Sequence, residues 1–207
     1  MIATTQPTVF VVDDDDAVRD SLKLLLKSIG LPVVTYPSAP DFLAGYRTEQ
    51  AGCLVLDIRM PGMSGLELQQ QLNTRGAVLP VVFISGHGDI PMAVEAMQHG
   101  AFDFLQKPFR DQDLIDRVQK AMERDAASRD QLRQLGRIQE RLNSLTARER
   151  EVLGLMILGK QNKVMAGELG VSQRTVEIHR ARVMEKMEAR SLAQLVRMIL
   201  ELEHRGE

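Results

Sequence analysis

Short apolar runs alternate with helix-spaced segments across the first 110 residues of this chain. The runs are mostly β-branched or aromatic, as expected of buried strands, and the segments between them repeat apolar residues every three or four positions. The runs are Val9–Val12, Val33–Val34, Cys53–Leu56, Val81–Ile84 and Ala101–Leu105. This alternation predicts an α/β domain with a doubly wound, five-stranded parallel sheet of the flavodoxin type. Ligands of such sheets bind at the carboxyl ends of the strands.

Residues that can handle a phosphoryl group follow four of these runs. Asp13-Asp14 follow the first run, Asp57 the third, Ser85 the fourth and Lys107-Pro108 the fifth. Because the first and third strands are neighbours in a doubly wound sheet, their three carboxylates should converge. At ~4 Å each carboxylate pair costs about 4 kcal/mol at an effective dielectric of ~20, and a divalent cation reverses that cost. Few carboxylates, with room for water and a phosphoryl oxygen, indicate Mg²⁺.

The residues of this predicted pocket differ in chemistry. Asp57 is the candidate nucleophile, since carboxylates can form aspartyl-phosphates. Lys107 supplies a movable cation, and a cis bond to Pro108 would direct it into the pocket. The Ser85 hydroxyl can donate to an anionic oxygen. The turn Met60–Gly65 carries the glycine and proline residues that let the backbone fold closely over the carboxylate.

The first apolar run is followed by four consecutive aspartates, 13 to 16. One interpretation is that the whole run is a solvated turn at a helix N-terminus. We apply that interpretation only to Asp16, which we predict to cap a helix that begins near Ala17.

The acid pair, Asp57, Ser85 and Lys107-Pro108 together resemble the receiver domain of two-component response regulators, over residues 7 to about 122. The intervals match that family: 43 residues from Asp14 to Asp57, 28 more to Ser85, and 50 from Asp57 to Lys107. The resemblance implies that a sensor histidine kinase phosphorylates Asp57.

The same resemblance implies further site residues. Asp14, Asp57 and the backbone carbonyl of Arg59 would bind Mg²⁺ directly, and Asp13 would act mostly through water. Ser85 would be the hydroxyl switch, and Phe104 falls on the family's rotating aromatic position. A plain core aromatic is the alternative for Phe104.

Charge and composition divide the 207 residues into two domains and a connector. Residues 1–110 carry 8 basic and 12 acidic side chains, whereas residues 145–199 carry 10 basic and 6 acidic ones, enough to be drawn to a polyanion. We assign residues 1–122 to the phosphoacceptor domain, 123–143 to a helical linker and 144–207 to a second domain. The linker either pairs with another helix for about two heptads or is a solvated spacer.

The basic second domain carries the end signals of four short helices. Thr146 and Glu149 form a capping box, and Asn162 opens a second helix that Gly170 stops. Ser172 caps a third helix that runs to about Met187, and a fourth helix follows. Two short helices joined by a glycine turn predict a helix-turn-helix within a small all-α, four-helix domain.

The third helix has two unlike faces. Val176, Val183 and Met187 should face the core. The residues on the opposite face are Arg174, Thr175, Ile178, Ala181 and Arg182. Such a face suits a DNA major groove, where arginine can fork onto guanine and an apolar side chain can touch a thymine methyl. The residues better suited to phosphates are Lys163, Arg180 and Lys186. Scattered surface residues are the alternative explanation of this face.

Three segments resemble the output domain of the LuxR/FixJ class: Leu145–Leu153, Asn162-Lys163 and Thr175-Val-Glu-Ile-His-Arg180. With Gly86-His-Gly-Asp89, the entire chain resembles a FixJ-type regulator. Many members of the class carry lysine where this chain has Glu177, which cannot bind phosphate but can accept from cytosine N4.

This resemblance implies a transcription factor rather than an enzyme. Phosphorylation would produce a homodimer through the helix around Ile90–His99 and the strand 101–105, and the last helix would add contacts on DNA. The homodimer would bind double-stranded promoter DNA and, with RNA polymerase, activate transcription.

No apolar stretch approaches the ~20 residues that span a bilayer, and the N-terminus carries no secretory pattern. We therefore expect a soluble, cytoplasmic protein with no membrane partner, in which the single Cys53 is an inert core residue. One rival function is a Mg²⁺-dependent phosphohydrolase with a helical interaction tail. Against it, Arg59 stands two residues after Asp57, where such an enzyme needs an acid. A receiver with a protein-binding tail is a third possibility.

Overall fold

The N-terminal unit is built on a five-stranded parallel sheet with the strand order β2-β1-β3-β4-β5. The strands are β1 (Thr8–Val12), β2 (Val33–Tyr36), β3 (Gly52–Asp57), β4 (Val81–Ser85) and β5 (Asp103–Gln106). The computed structural model describes residues 6–86 and 90–203, and the chain divides into two compact units after Asp130. The predicted parallel sheet is confirmed, and β1 lies beside β3.

Helices cover both faces of this sheet. Their bounds are α1 (Asp16–Ser28), α2 (Ala39–Gly45), α3 (Gly65–Thr74), α4 (Ile90–Gln98) and α5 (Asp111–Asn143). Val9 and Val11 of β1 point to the face covered by α1 and the first half of α5. Phe10 and Val12 point to the face covered by α2, α3 and α4. The alternation of side chains along a strand thus builds two apolar layers from one segment.

The fifth strand begins two residues later than predicted. Gly100 has φ 86° and Ala101 donates its N–H to the Ala96 carbonyl at 3.0 Å, so both residues close the end of α4. Phe102 then bonds the Val81 carbonyl, and the ladder proper starts at Asp103.

Strand β3 begins at a crowded glycine. Gly52 has φ 147°, and a Cβ atom there would lie 1.8 Å from the Thr8 carbonyl oxygen. Its N–H donates to the carboxylate of Asp125, a buried residue of α5, at 2.8 Å. Arg129, one turn later, binds both oxygens of Asp125 through Nε at 2.8 and 2.9 Å. The carbonyls that also accept from Arg129 are those of Thr48, Glu49 and Gln50. Residues 125–129 of α5 therefore hold the loop that leads into β3.

The C-terminal unit is helical. Its helices are α6 (Ala147–Ile157), α7 (Asn162–Leu169), α8 (Gln173–Lys186) and α9 (Leu192–Glu203). The predicted end signals are confirmed: Thr146 and Glu149 form a capping box, Gly170 is left-handed at φ 66°, and the Ser172 hydroxyl accepts from Thr175 N. Helices α7 and α8 are the helix-turn-helix.

The second half of α5 packs within this C-terminal unit. Ile138 is 3 % exposed and belongs to the same apolar core as Val152, Val183 and Leu195. Of the two alternatives for this segment, the fully solvated spacer is wrong, because its apolar side packs on helices of the C-terminal unit. Throughout residues 6–86 and 90–203, no helix combines the length and apolar character that a bilayer crossing requires.

Candidate functional site

One lysine bridges two buried carboxylates at the carboxyl edge of the sheet. Lys107 Nζ lies 2.9 Å from Asp13 Oδ2 and 3.0 Å from Asp57 Oδ1. Asp13 follows β1 and Asp57 ends β3, and the pairing of these two strands brings the carboxylates together. The Lys107–Pro108 peptide bond is cis, as predicted. The structure thus assembles three of the predicted pocket residues around one amine.

Asp57 is held at both carboxylate oxygens. Oδ1 accepts from Lys107, and Oδ2 accepts from the Arg59 backbone N–H at 2.8 Å. Burial raises the pKa of Asp57, and the charge of Asp13 adds to the rise, while Lys107 and the Arg59 N–H oppose it. Carboxylates whose pKa is raised by burial are common at functional sites.

The ammonium of Lys107 is stabilised in return. Burial alone would lower the pKa of Lys107, but its hydrogen bonds and charge interactions with Asp13 and Asp57 outweigh burial and raise it. The pocket therefore holds a permanent cation between two acids, with one negative charge in excess before Asp14 is counted. An arriving anionic group meets donors that already point inward.

The four aspartates of the run 13–16 serve different purposes. Asp13 is buried, and its Oδ1 accepts the Asp15 N–H at 2.9 Å. Asp14 is exposed. The helix cap is Asp15, whose Oδ1 accepts from Ala17 N at 2.8 Å and Val18 N at 3.3 Å. The prediction that Asp16 caps this helix is wrong by one residue, because Asp15 has the extended backbone of a cap and Asp16 is already helical.

The two predicted switch residues lie beside the pocket. Ser85 is buried at the end of β4, and its carbonyl accepts the Lys107 N–H at 2.7 Å. Phe104 is partly buried, packs against the core under α4, and lines a cavity of about 450 Å³ with Gly86, Val94 and Arg117. Residues 87–89 of the Gly86-His-Gly-Asp89 motif lie outside the described residues.

The turn after Asp57 approaches the backbone of β3 closely. Gly65 donates its N–H to the Ile58 carbonyl at 2.9 Å, and a Cβ atom at Gly65 would lie 2.3 Å from the Asp57 carbonyl oxygen. Ser64 then caps α3 in a capping box with Glu67. The turn can lie this close to the backbone of Asp57 only because residue 65 has no side chain.

The pocket has the oxygen ligands that Mg²⁺ prefers. Asp13 and Asp57 share one cationic neighbour, so their carboxylates face a common point. Mg²⁺ is commonly held by only one or two carboxylates, with waters and substrate oxygens completing the octahedron. Across the part of the chain that the structure describes, no group of three or more acidic, histidine or cysteine side chains is spaced to hold a metal ion. Two converging acids beside the exposed Asp14 fit a Mg²⁺ site of this sparse kind.

Helix α8 presents the predicted face to solvent. Val176, Val183 and Met187 are each 0 % exposed, as predicted for the core side. On the other side Ile178 is 47 % exposed. The exposed residues that accompany it are Arg174, Glu177, Ala181 and Arg182, and Lys163 of α7 is exposed as well. Thr175 and Arg180 are partly buried, and the Thr175 hydroxyl pairs with Ser172 at 2.8 Å.

Lys186 does not share this exposure. Its Nζ donates to Glu149 Oε2 at 2.6 Å and to the Ser144 carbonyl at 3.2 Å, so the amine is engaged within the unit. His179 of α8 is partly buried, and its Nδ1 is buried without a hydrogen-bond partner in the described structure.

Three polar residues of the receiver unit were not predicted from the sequence, and one of them supports the pocket. Arg19 of α1 donates to the Asp13 carbonyl at 2.5 Å and thereby holds the backbone that carries the Asp13 carboxylate. No sequence prediction concerned Asp125 and Arg129, which hold the loop before β3. A buried position occupied by an acid and followed by arginine four residues later is itself a signal of a polar contact.

Comparison with known proteins covers both units. Residues 9–119 match the family described as Response regulator receiver domain, and residues 143–199 match Bacterial regulatory proteins, luxR family. The chain is 50 % identical to the transcriptional regulatory protein FixJ of Azorhizobium caulinodans, over 93 % of this chain and 91 % of that protein. It is 48 % identical to nodulation protein W of Bradyrhizobium diazoefficiens, over 95 % of this chain and 86 % of that protein.

A solved structure shows the same similarity. The response regulator StyR superposes with a TM-score of 0.88 at 49 % identity, over 95 % of this chain and all of that one.

Proposed function

Because this chain belongs to the FixJ-type response regulators of two-component systems, with a receiver domain and a LuxR-type DNA-binding domain, we propose that a phosphoryl group on Asp57 controls its binding to promoter DNA. The observation that carries the proposal is the pair of buried acids held by Lys107. The phosphoryl donor is a sensor histidine kinase.

The proposed transfer uses the residues of the pocket in distinct ways. A carboxylate oxygen of Asp57 attacks the phosphorus of a phosphohistidine, the O–P bond forms as the P–N bond breaks, and the kinase imidazole leaves. Lys107 and the Arg59 N–H already touch the two Asp57 oxygens and offset the added negative charge. Asp14, Asp57 and the Arg59 carbonyl would hold Mg²⁺, which would supply positive charge to offset that of the phosphoryl group. Asp13 orients Lys107.

The response to the phosphoryl group is proposed to pass through Ser85 and Phe104. The Ser85 hydroxyl donates to the new phosphoryl oxygens, and Phe104 moves with it into the cavity beside α4. The surface of α4 and β5 then forms a homodimer. Val94 and Met97 of α4, which are 51 % and 46 % exposed, support this face because a dimer would cover them.

The proposed DNA contacts lie on α8 and α7. Arg174, Ile178 and Arg182 read base edges in the major groove, supported by Thr175, Glu177 and Ala181. Lys163 and Arg180 contact phosphates, which position α8 without reading sequence. One such module buries only ~600–1,000 Å² on DNA, so two copies are required for firm specificity. Bound in this way, the protein activates transcription with RNA polymerase in the cytoplasm.

Replacement of the phosphoacceptor tests the proposal. Asp57→Asn keeps the shape of the side chain and removes the nucleophile, so acetyl phosphate should neither label the variant nor raise its affinity for a DNA duplex selected from a random library. Asp20→Asn, an exposed acid of α1, is the matched control and should be labelled normally. If Asp57→Asn still gains affinity with acetyl phosphate, the assignment of Asp57 is wrong.

The same preparation distinguishes a switch from a phosphohydrolase. A switch takes up one phosphoryl group per chain and loses it slowly, whereas an esterase releases phosphate continuously. With p-nitrophenyl phosphate as the substrate, we expect no sustained release of p-nitrophenol. Repeated turnover that Asp57→Asn abolishes would support the hydrolase instead.

A further inference from the structure

The last turn of α8 is tied to the first turn of α6 by a directional polar contact. Lys186 Nζ donates to Glu149 Oε2 at 2.6 Å and to the Ser144 carbonyl at 3.2 Å. An ammonium has three protons, so two of them are committed to neighbours within the unit. The side chain is 35 % exposed, so this amine is not a freely projecting surface cation.

The acid of this pair is fixed from the other side. Glu149 is the third residue of α6, and its Oε2 accepts the Thr146 N–H at 2.8 Å while the Thr146 hydroxyl accepts the Glu149 N–H. Its side chain is 3 % exposed. The hydrogen bond from Lys186, followed by that from Thr146, lowers the pKa of Glu149 to about 2. The carboxylate is thus an ionised, immobile acceptor at the N-terminus of α6.

The residues through which α8 and its C-terminal cap enter the core are apolar. They are Val176, Val183 and Met187, and apolar burial stabilises many small rotations and translations of a helix almost equally. The buried Glu149 carboxylate is fixed by its capping box, so its hydrogen bond with Lys186 keeps good geometry only over a narrow range of α8 positions. The residues that face outward, Arg174, Ile178 and Arg182, move with the helix.

We propose that Glu149 and Lys186 form a positioning pair, which sets the axial position and roll of the recognition helix α8 and gives Lys186 no direct contact with DNA phosphate. The inference rests on the proposed DNA contacts of α8. It assigns Lys186 a different purpose from the phosphate contact predicted from sequence.

The two purposes predict opposite results. For a phosphate contact, Lys186→Met weakens binding to every duplex and lowers the slope of log K against log[salt] by about 0.9. For a positioning residue, Lys186→Met weakens binding to a duplex selected by the wild-type protein at least tenfold. Binding to a random-sequence duplex and the salt slope then stay unchanged.

Glu149→Gln should change DNA affinity in opposite directions for a phosphate contact and for a positioning pair. It removes a negative charge and frees Lys186, so a phosphate contact would strengthen binding to both duplexes. The positioning pair predicts at least tenfold weaker binding to the selected duplex instead. The Glu149→Gln/Lys186→Met double variant should be no worse than either single variant, since both remove one interaction.

The experiment uses the full-length chain, with both duplexes titrated at four salt concentrations. Lys160→Met is the matched control, because Lys160 forms an exposed pair with Glu168 at 3.4 Å; it should change the ratio of the two affinities less than twofold. Lys186→Arg keeps the charge, and its ratio of selected-duplex affinity to random-duplex affinity should lie within about threefold of the wild-type ratio. Circular dichroism at the assay temperature checks folding, and Glu149→Asp replaces any variant that unfolds, with the same expected loss.

The outcomes are distinguishable from a failure of the proposed function. If the wild-type chain binds no duplex, the proposed function fails and this inference fails with it. If the wild-type chain binds and Lys186→Met lowers the salt slope, or Glu149→Gln strengthens binding, the positioning pair alone is overturned.

Discussion

Removal of the Asp125 carboxylate should destabilise the receiver unit. Asp125 binds the start of β3, at the end of the sheet opposite the phosphoryl pocket. In Asp125→Ala the buried N–H of Gly52 loses its acceptor, which costs about 1–3 kcal/mol. Breaking a buried ion pair typically costs about 3–5 kcal/mol of stability. Arg129 loses its carboxylate partner but keeps hydrogen bonds to three backbone carbonyls, so its share of the loss should be smaller than that. We expect a total loss of about 3 kcal/mol.

The composition of the chain supplies a selective assay. There is no tryptophan, and the two tyrosines, Tyr36 and Tyr46, both lie in the receiver unit. Tyrosine fluorescence during urea unfolding therefore reports that unit alone. With an m-value of about 2 kcal/mol per molar, the midpoint should fall by roughly 1.5 M.

The control lies at the start of the same helix, where Arg110 immediately precedes α5. Arg110 pairs with Asp113 on the surface, so Arg110→Ala should leave the midpoint nearly unchanged. Asp125→Ala/Arg129→Met should recover part of the loss, because it leaves no unpaired charge. A midpoint for Asp125→Ala within 0.5 M of the wild type, which corresponds to about 1 kcal/mol, would refute the assignment of a stabilising contact.

Three further predictions follow from the described contacts. Gly65→Ala should destabilise the receiver unit by about 2 kcal/mol or more in the same urea assay, because its Cβ would meet the Asp57 carbonyl. Gly136→Ala, in open helix of the C-terminal unit, should stabilise that unit by about 0.5–1 kcal/mol when its urea unfolding is followed by circular dichroism; equal effects of the two substitutions would contradict this. Labelling of Asp57 by acetyl phosphate should decline as pH falls through its raised pKa, and Lys107→Met should shift that decline to higher pH, since Lys107 lowers the pKa. Glu149 has a folded-state pKa of about 2, below its ordinary 4.5, so its stabilisation is present above pH 4.5 and lost towards pH 2. The free energies of unfolding of the wild type and of Glu149→Gln, followed by circular dichroism, should therefore become equal as the pH falls towards 2.

The pocket was predictable because strand order is a strong constraint. Adjacent parallel strands bring their carboxyl ends to one edge, so Asp13 and Asp57 had to meet once β1 and β3 were neighbours. The end signals of α6, α7 and α8 were equally legible, since each cap depends on residues at most four positions apart.

Contacts between distant residues were not predictable. Glu149 and Lys186 meet only because α6 and α8 pack together, and nothing in their separation of 37 residues indicates it. The cap of α1 was ambiguous for a different reason: four consecutive acids offer the same chemistry, and only the backbone angles select Asp15. Arg19 likewise reaches Asp13 through a backbone carbonyl, which any residue type could provide.

Two glycines, one at the start of β3 and one at the start of α3, lie so close to backbone carbonyls that a side chain would not fit. Gly52 touches the Thr8 carbonyl at the start of β3, and Gly65 touches the carbonyl of Asp57 itself. Every amino acid that a single base change can reach from a glycine codon carries a Cβ atom. No one-step mutation at either position therefore leads to a residue that fits. At these two positions the receiver therefore has no neighbouring sequence that preserves the local packing, whatever change the other residues of β3 tolerate.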